Sequence, residues 1–171
     1  MGHITGKDVY GDLEKKIDGL WMRTPRKKSF YKVLKLLYTD AEADLVVRMP
    51  FGFAPLDRIT RLAGRPQNET RKLLEGLADK GLVLDIAPGD RTFYAPSPIV
   101  IGLFEFTMMR TDGGVDQKKA AELFHHCMLE DGALFAANFK PDARIASVWC
   151  FKSALPLIMG CRLGIDMMSS Q

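Results

Sequence analysis

The stretch PLDRITRLAGRPQNETRKLLEGLADKGLVLDIAPGDRTFYAP, residues 55–96, decides the fold. Leu56, Ile59, Leu62 and Ala63 recur at helical spacing behind Pro55, whose fixed φ suits the first turn of a helix. Gly64 permits a sharp turn after them. A second helix is expected from Pro66 to Lys80, with Thr70, Leu73, Leu74 and Leu77 inward and Gly81 in the left-handed position that closes a helix. Leu82–Ile86 and Arg91–Ala95 then read as two short strands around a turn at Ala87–Asp90. Helix, tight turn, helix and hairpin in that order imply a winged helix-turn-helix. The expected class is mainly α with a small β-wing (α+β), with flanking helices.

Upstream, Val9, Leu13, Ile17 and Leu20 mark an amphipathic helix, with Lys15, Lys16 and Asp18 on its other side. Gly19 weakens its end, and Trp21 and Met22 are expected to carry the apolar contact onward. Residues 23–28 are mostly basic and contain Pro25, so they are either a solvated connector or an arm that contacts phosphates. Ser29 is placed to cap the next helix, which buries Phe30, Val33, Leu34 and Leu37. Thr39 and Glu42 have capping-box spacing and start a helix from Asp40 to Arg48, with Ala43, Val46 and Val47 inward. Phe51 and Phe53 are expected to plug the core beneath the following turn.

Downstream, Ile99 to Arg110 is too apolar for one face of an exposed helix. It is expected to cap the winged domain or to pair with the same helix of a second chain, through Ile101, Phe104 and Met108. Thr111–Gly114 reads as a loop, and Asp116 to Glu130 as a helix burying Ala120, Leu123, Phe124 and Cys127. A short helix fits residues 132–139. The chain therefore divides into an N-terminal helix and basic connector (1–28), a winged domain (29–110), a helical extension (111–140) and a poorly patterned tail (141–171). That tail is expected to be either disordered or cut short.

The composition is that of an ordinary folded protein, 47% apolar and 26% charged over 171 residues. The formal charge of +3 is uneven: residues 1–80 carry a net +5 and residues 81–171 a net −2. This permits nucleic-acid binding without requiring it. Three cysteines and a polar N-terminus suggest free thiols and a cytoplasmic location, and no apolar run reaches membrane-spanning length.

In a winged helix the second helix of the motif enters the major groove. Gln67, Asn68, Arg71 and Lys72 have the donors that read base edges, and Arg65 and Arg91 suit phosphates. Glu69, Glu75 and Asp79 share that helix, so the alternative is a solvated face with Arg71 and Glu75 as an i, i+4 pair. His125, His126 and Cys127 are adjacent and do not converge as metal ligands on a helix. Cys127, Cys150 and Cys161 lack the tight spacing of an iron–sulfur or zinc motif. A phosphate loop and an activated nucleophile are both missing, so no cofactor and no catalysis are expected of this chain.

Four runs carry a resemblance: Leu36-Leu-Tyr-Thr-Asp-Ala-Glu-Ala-Asp-Leu45, Arg61-Leu-Ala-Gly64, Leu74-Glu-Gly-Leu-Ala-Asp-Lys-Gly-Leu82, and Tyr94-Ala-Pro-Ser-Pro-Ile-Val-Ile-Gly-Leu-Phe-Glu-Phe106. Together they resemble the N-terminal winged-helix region of bacterial and archaeal ferredoxin-type 4Fe–4S proteins. The helix-turn-helix alone also fits MarR-like or ArsR-like regulators. The resemblance implies a DNA-binding, transcription-regulating module, or alternatively an interaction or dimerisation adaptor in an iron–sulfur redox system. The implied partners are duplex DNA, a second copy of the chain or a redox protein, and no membrane. In that family the 4Fe–4S clusters belong to a C-terminal ferredoxin domain, which is lacking here, and no residue of this sequence matches a cluster ligand. The chain is thus expected to be cut before that domain or to be a divergent stand-alone regulator.

Overall fold

The computed structural model describes residues 8–109 and 115–138. Eight helices are described: α1 (Val9–Asp18), α2 (Lys28–Leu37), α3 (Asp40–Arg48), α4 (Leu56–Ala63), α5 (Gln67–Asp79), α6 (Phe104–Met109), α7 (Gln117–His125) and α8 (Ala133–Asn138). With them are three short strands, β1 (Ala54–Pro55), β2 (Val83–Ile86) and β3 (Phe93–Pro96), against which α4 and α5 pack. The protein is mainly helical with a small antiparallel sheet, an α+β arrangement.

α4 stops where Gly64 turns to φ 65°, and the Gly64 N–H bonds Thr60 O. That conformation is strained for any residue with a Cβ. The chain reverses into α5, which ends the same way at Gly81 (φ 74°), with the Leu82 N–H bonded to Leu77 O. β2 and β3 form the hairpin in the register Val83 to Pro96 and Ile86 to Phe93. β1 adds to the other edge of β3, with Ala54 opposite Tyr94, so the sheet order is β1–β3–β2.

α1 to α3 form the wall behind this unit. Leu13, Ile17, Phe30, Val33, Leu34, Ala43, Leu45 and Val46 are buried and join Ile59, Leu74 and Leu77 in one core. Each large aliphatic side chain removed from water contributes roughly 1.5–3 kcal/mol. Thr39 and Glu42 complete the reciprocal capping box at the start of α3. Residues 99–103 form a π-helical turn that leads into α6, so the apolar stretch after the hairpin is helical as far as Met109, as expected, and Arg110 lies outside the described residues. α7 continues through a second π-helical turn, His126–Glu130, and buries Ala120, Phe124 and Cys127.

Several expectations are corrected. Pro55 precedes α4 as its cap residue and belongs to β1, rather than starting the helix. Ser29 does not cap α2; the cap position is Lys27, and the Ser29 hydroxyl donates to Asp131 instead. Lys16 is buried, not on a solvated side. Its ammonium donates to Met49 O at the C-terminal end of α3 and sits 3.8 Å from the centroid of the Phe51 ring. Phe51 and Phe53 are 56% and 41% exposed and do not plug the core, because Lys16 takes the inner face of Phe51. Trp21 and Leu62 are also about half exposed. Leu20 fills the space after α1, and Leu62 flanks the stripe set by Ile59 and Ala63.

Residues 23–27 run as a connector fixed at its start, and Lys28 already belongs to α2. Arg23 pairs with Asp18 at 2.9 Å, and its backbone N–H and C=O are both bonded by the Asn138 amide. The loop at Thr111–Gly114, and the tail 141–171 with Cys150 and Cys161, lie outside the described residues.

Candidate nucleic-acid interface

The outward face of α5 starts with Asn68, Arg71 and Lys72. All three are exposed. They lie three and four positions apart and so share one helical face. Glu69 stands among them in the first turn, paired with Arg65, and Glu75 and Asp79 follow in the second half of the helix, so donors and acids share its outward face. No Arg71–Glu75 ion pair forms among the described residues. Arg71 and Glu75 instead act from opposite signs on the Tyr94 hydroxyl of β3, which burial pushes above the ordinary tyrosine range.

Arg65 is differently placed. Its guanidinium is held 3.1 Å from Asp44 Oδ2 and 2.7 Å from Glu69 Oε1. Asp44 also takes Arg48 at 3.0 Å. Burial would raise the Asp44 carboxyl, but the bonds from Arg65 and Arg48 outweigh it and hold it below the ordinary aspartate range. A charge already neutralised by two carboxylates attracts phosphate weakly. Gln67 is also engaged: its Nε2 donates to Asp57 Oδ1 at 2.6 Å, tying the first turn of α5 to that of α4. Arg91 is exposed where the hairpin turn meets β3. That turn is exposed from Ala87 to Asp90 and reverses at Gly89, φ 74°.

Of the six residues expected to meet nucleic acid, Asn68, Arg71, Lys72 and Arg91 thus point free donors outward, while Arg65 and Gln67 brace the turn. Arg58 and Arg61 on α4 were not anticipated. Both are exposed, one turn apart, and neither forms an ion pair among the described residues. Their i, i+3 spacing opposite Ile59 was the available signal.

The residues expected at an interface between copies behave otherwise. Phe104 meets Phe124 edge-on at 5.2 Å, and Met108 packs against the same core, so α6 rests on α7 of its own chain. Ile101 lies in the π-helical turn, and its side chain is outside the described residues. His125 and His126 both approach Glu130, the first at 3.3 Å. No group of three or more potential metal ligands is found among the described residues. The Cys127 thiol is pushed up to about 11, chiefly by burial. None of the described helices is long and apolar enough to cross a membrane. Comparison with protein families, with characterised proteins and with solved structures found no match to this chain.

Proposed function

We propose that the chain is a non-catalytic winged-helix module that binds duplex DNA and acts as a regulator. One observation carries this reading. A helix–turn–helix closed at two left-handed glycines presents Asn68, Arg71 and Lys72 free on its second helix, and the following hairpin presents Arg91. In this reading α5 is the recognition helix and β2–β3 the wing. Asn and Arg supply bidentate donors to base edges, and Lys72 and Arg91 supply charge to phosphates. A cytoplasmic location, which rests on the cysteine usage and the polar N-terminus, and a setting beside iron–sulfur redox proteins, which rests on the sequence resemblance alone, are part of the proposal.

The test is fluorescence anisotropy with a pool of labelled genomic duplexes at increasing salt. Binding should weaken steeply with salt, and Arg71→Ala should lower affinity by roughly 1–3 kcal/mol. Arg65→Ala should change stability more than it changes the salt slope, since its charge is already paired. Absent or salt-insensitive binding by the folded protein sinks the proposal. The adaptor reading draws no support from Phe104 and Met108, which pack inside the chain.

A further inference from the structure

A cleft of about 550 Å³ is lined by Glu14, Arg26, Lys27, Lys28, Tyr31 and Lys32, on α1, the connector and the start of α2. Four of the six lining residues are cationic, and all four are exposed. None of the four is joined to a carboxylate by an ion pair among the described residues. The cleft also takes in the start of α2, a ten-residue helix whose first turn has no side-chain cap and no acidic residue. Free N–H groups and the positive end of the helix therefore add to the four side chains.

Glu14 is the second, independent feature. It is only 7% exposed, and its Oε1 has no hydrogen-bond partner among the described residues. A buried acceptor left without a donor is destabilising, so it needs a reason. Burial pushes the Glu14 carboxyl above its ordinary range, and the Arg26 charge and the Lys27 N–H only partly oppose that. A carboxylate in a cationic cleft would repel a bare anion. It would accept a bond from a hydroxyl or ammonium group carried by the same ligand. Tyr31 cannot be that donor, because its hydroxyl is committed to Asp8 Oδ1 at 2.9 Å.

We infer that this cleft binds a small phosphate ester that also carries a hydrogen-bond donor, such as a sugar phosphate. The phosphate lies against Arg26, Lys27, Lys28, Lys32 and the α2 N-terminus, and the donor satisfies Glu14. A nucleic-acid backbone fits less well, because a flat run of phosphates cannot supply a donor to a recessed carboxylate. The site would make the module ligand-responsive, and it stands whether or not α5 reads DNA.

Isothermal titration of the full chain with ribose 5-phosphate, inorganic phosphate and ribose tests it. Ribose 5-phosphate should bind saturably at one site, inorganic phosphate at least tenfold more weakly, and ribose not measurably. The exposed pair Lys28→Ala/Lys32→Ala should weaken ribose 5-phosphate at least tenfold while leaving the circular dichroism unchanged. Glu14→Gln should narrow the gap between the ester and inorganic phosphate. No saturable binding at millimolar ligand, or binding indifferent to the lysine pair, overturns the inference. So does competition by a short duplex that also depends on Lys28 and Lys32, since the phosphate site would then serve a backbone.

Discussion

Lys80 Nζ lies 2.7 Å from Glu42 Oε1 and 2.9 Å from Oε2, joining the end of α5 to the start of α3. The same carboxylate accepts the Thr39 N–H at 2.9 Å and so closes the cap of α3. The Glu42 side chain is 9% exposed and that of Lys80 32%. One carboxylate thus starts a wall helix and positions the helix proposed to read DNA. Glu42→Ala should cost about 2 kcal/mol, from a lost cap and a lost shielded pair. A double-mutant cycle with Lys80→Ala in urea denaturation should give a coupling of about 1 kcal/mol. The exposed Lys15–Asp12 pair, 2.9 Å apart, should couple by only about 0.3 kcal/mol.

Acid should act on two carboxylates in one direction and on a third in the other. Burial would raise the Glu42 and Asp44 carboxyls, but Lys80 and Thr39 on one, and Arg65 and Arg48 on the other, hold them below their ordinary values of 4.5 and 3.8. A group with a depressed folded pKa adds stability above its unfolded pKa, and loses it as pH falls through the folded one. The thermal midpoint should therefore drop as pH falls below about 4.5, and Glu42→Gln should flatten that drop. Glu14 is raised from 4.5, so its ionised form opposes folding at neutral pH. Glu14→Gln should raise the midpoint at pH 7, and the gain should vanish in acid. A Glu14→Gln protein that is less stable at pH 7 would contradict this account of the cleft.

Three glycines of the motif should respond to alanine in three ways. At Gly76, inside α5, an added Cβ meets nothing within 4 Å, so helix propensity predicts a gain of about 0.5–1 kcal/mol. At Gly64 the space is also open but φ is 65°, so a loss of about 1 kcal/mol is expected. At Gly81, φ is 74° and an added Cβ would collide with Phe106 Cβ. Strain and collision act together there, and a loss of about 3 kcal/mol or more is expected. Chemical denaturation of the three variants gives the order directly, and a Gly81→Ala protein as stable as Gly64→Ala would refute the packing of α6 over that turn.

What could be read from the sequence was whatever rests on local rules. Thr39 and Glu42 stand at the spacing of a reciprocal cap, and Gly64 and Gly81 at left-handed helix ends, so those features were visible before any fold was built. The inward residues of α2 and α5 followed from period alone. β1 was invisible because two residues make no pattern, and it exists only as backbone pairing to Phe93 and Tyr94. Lys16 looked solvent-facing because periodicity sees charge as polar, yet its stem reaches Met49 O, thirty-three residues away. The loss of Arg65 and Gln67 as free donors has the same origin, since their partners Asp44 and Asp57 come from other helices. The cleft at Glu14 depends on the approach of α1 to the start of α2, and no local rule contains it.

Cys127 offers a readout of how firmly α7 docks on α2. Its thiol is buried and pushed up to about 11, first by desolvation and then by Asp131 and Glu14, with Ser29 opposing. The thiolate is the reactive form, so both burial and pKa suppress labelling. In a Cys150→Ser/Cys161→Ser background, a thiol-specific reagent at pH 7 should label the native protein at least a hundredfold more slowly than the denatured one. Ser29→Ala removes the hydroxyl that donates to Asp131, loosening the contact between α2 and the segment before α8. It should speed labelling, in proportion to the stability lost, wherever opening is fast relative to reaction. Labelling of native Cys127 at the rate of a free thiol would mean that α7 does not shield it, and the packing of Phe124 on Phe104 would have to be redrawn.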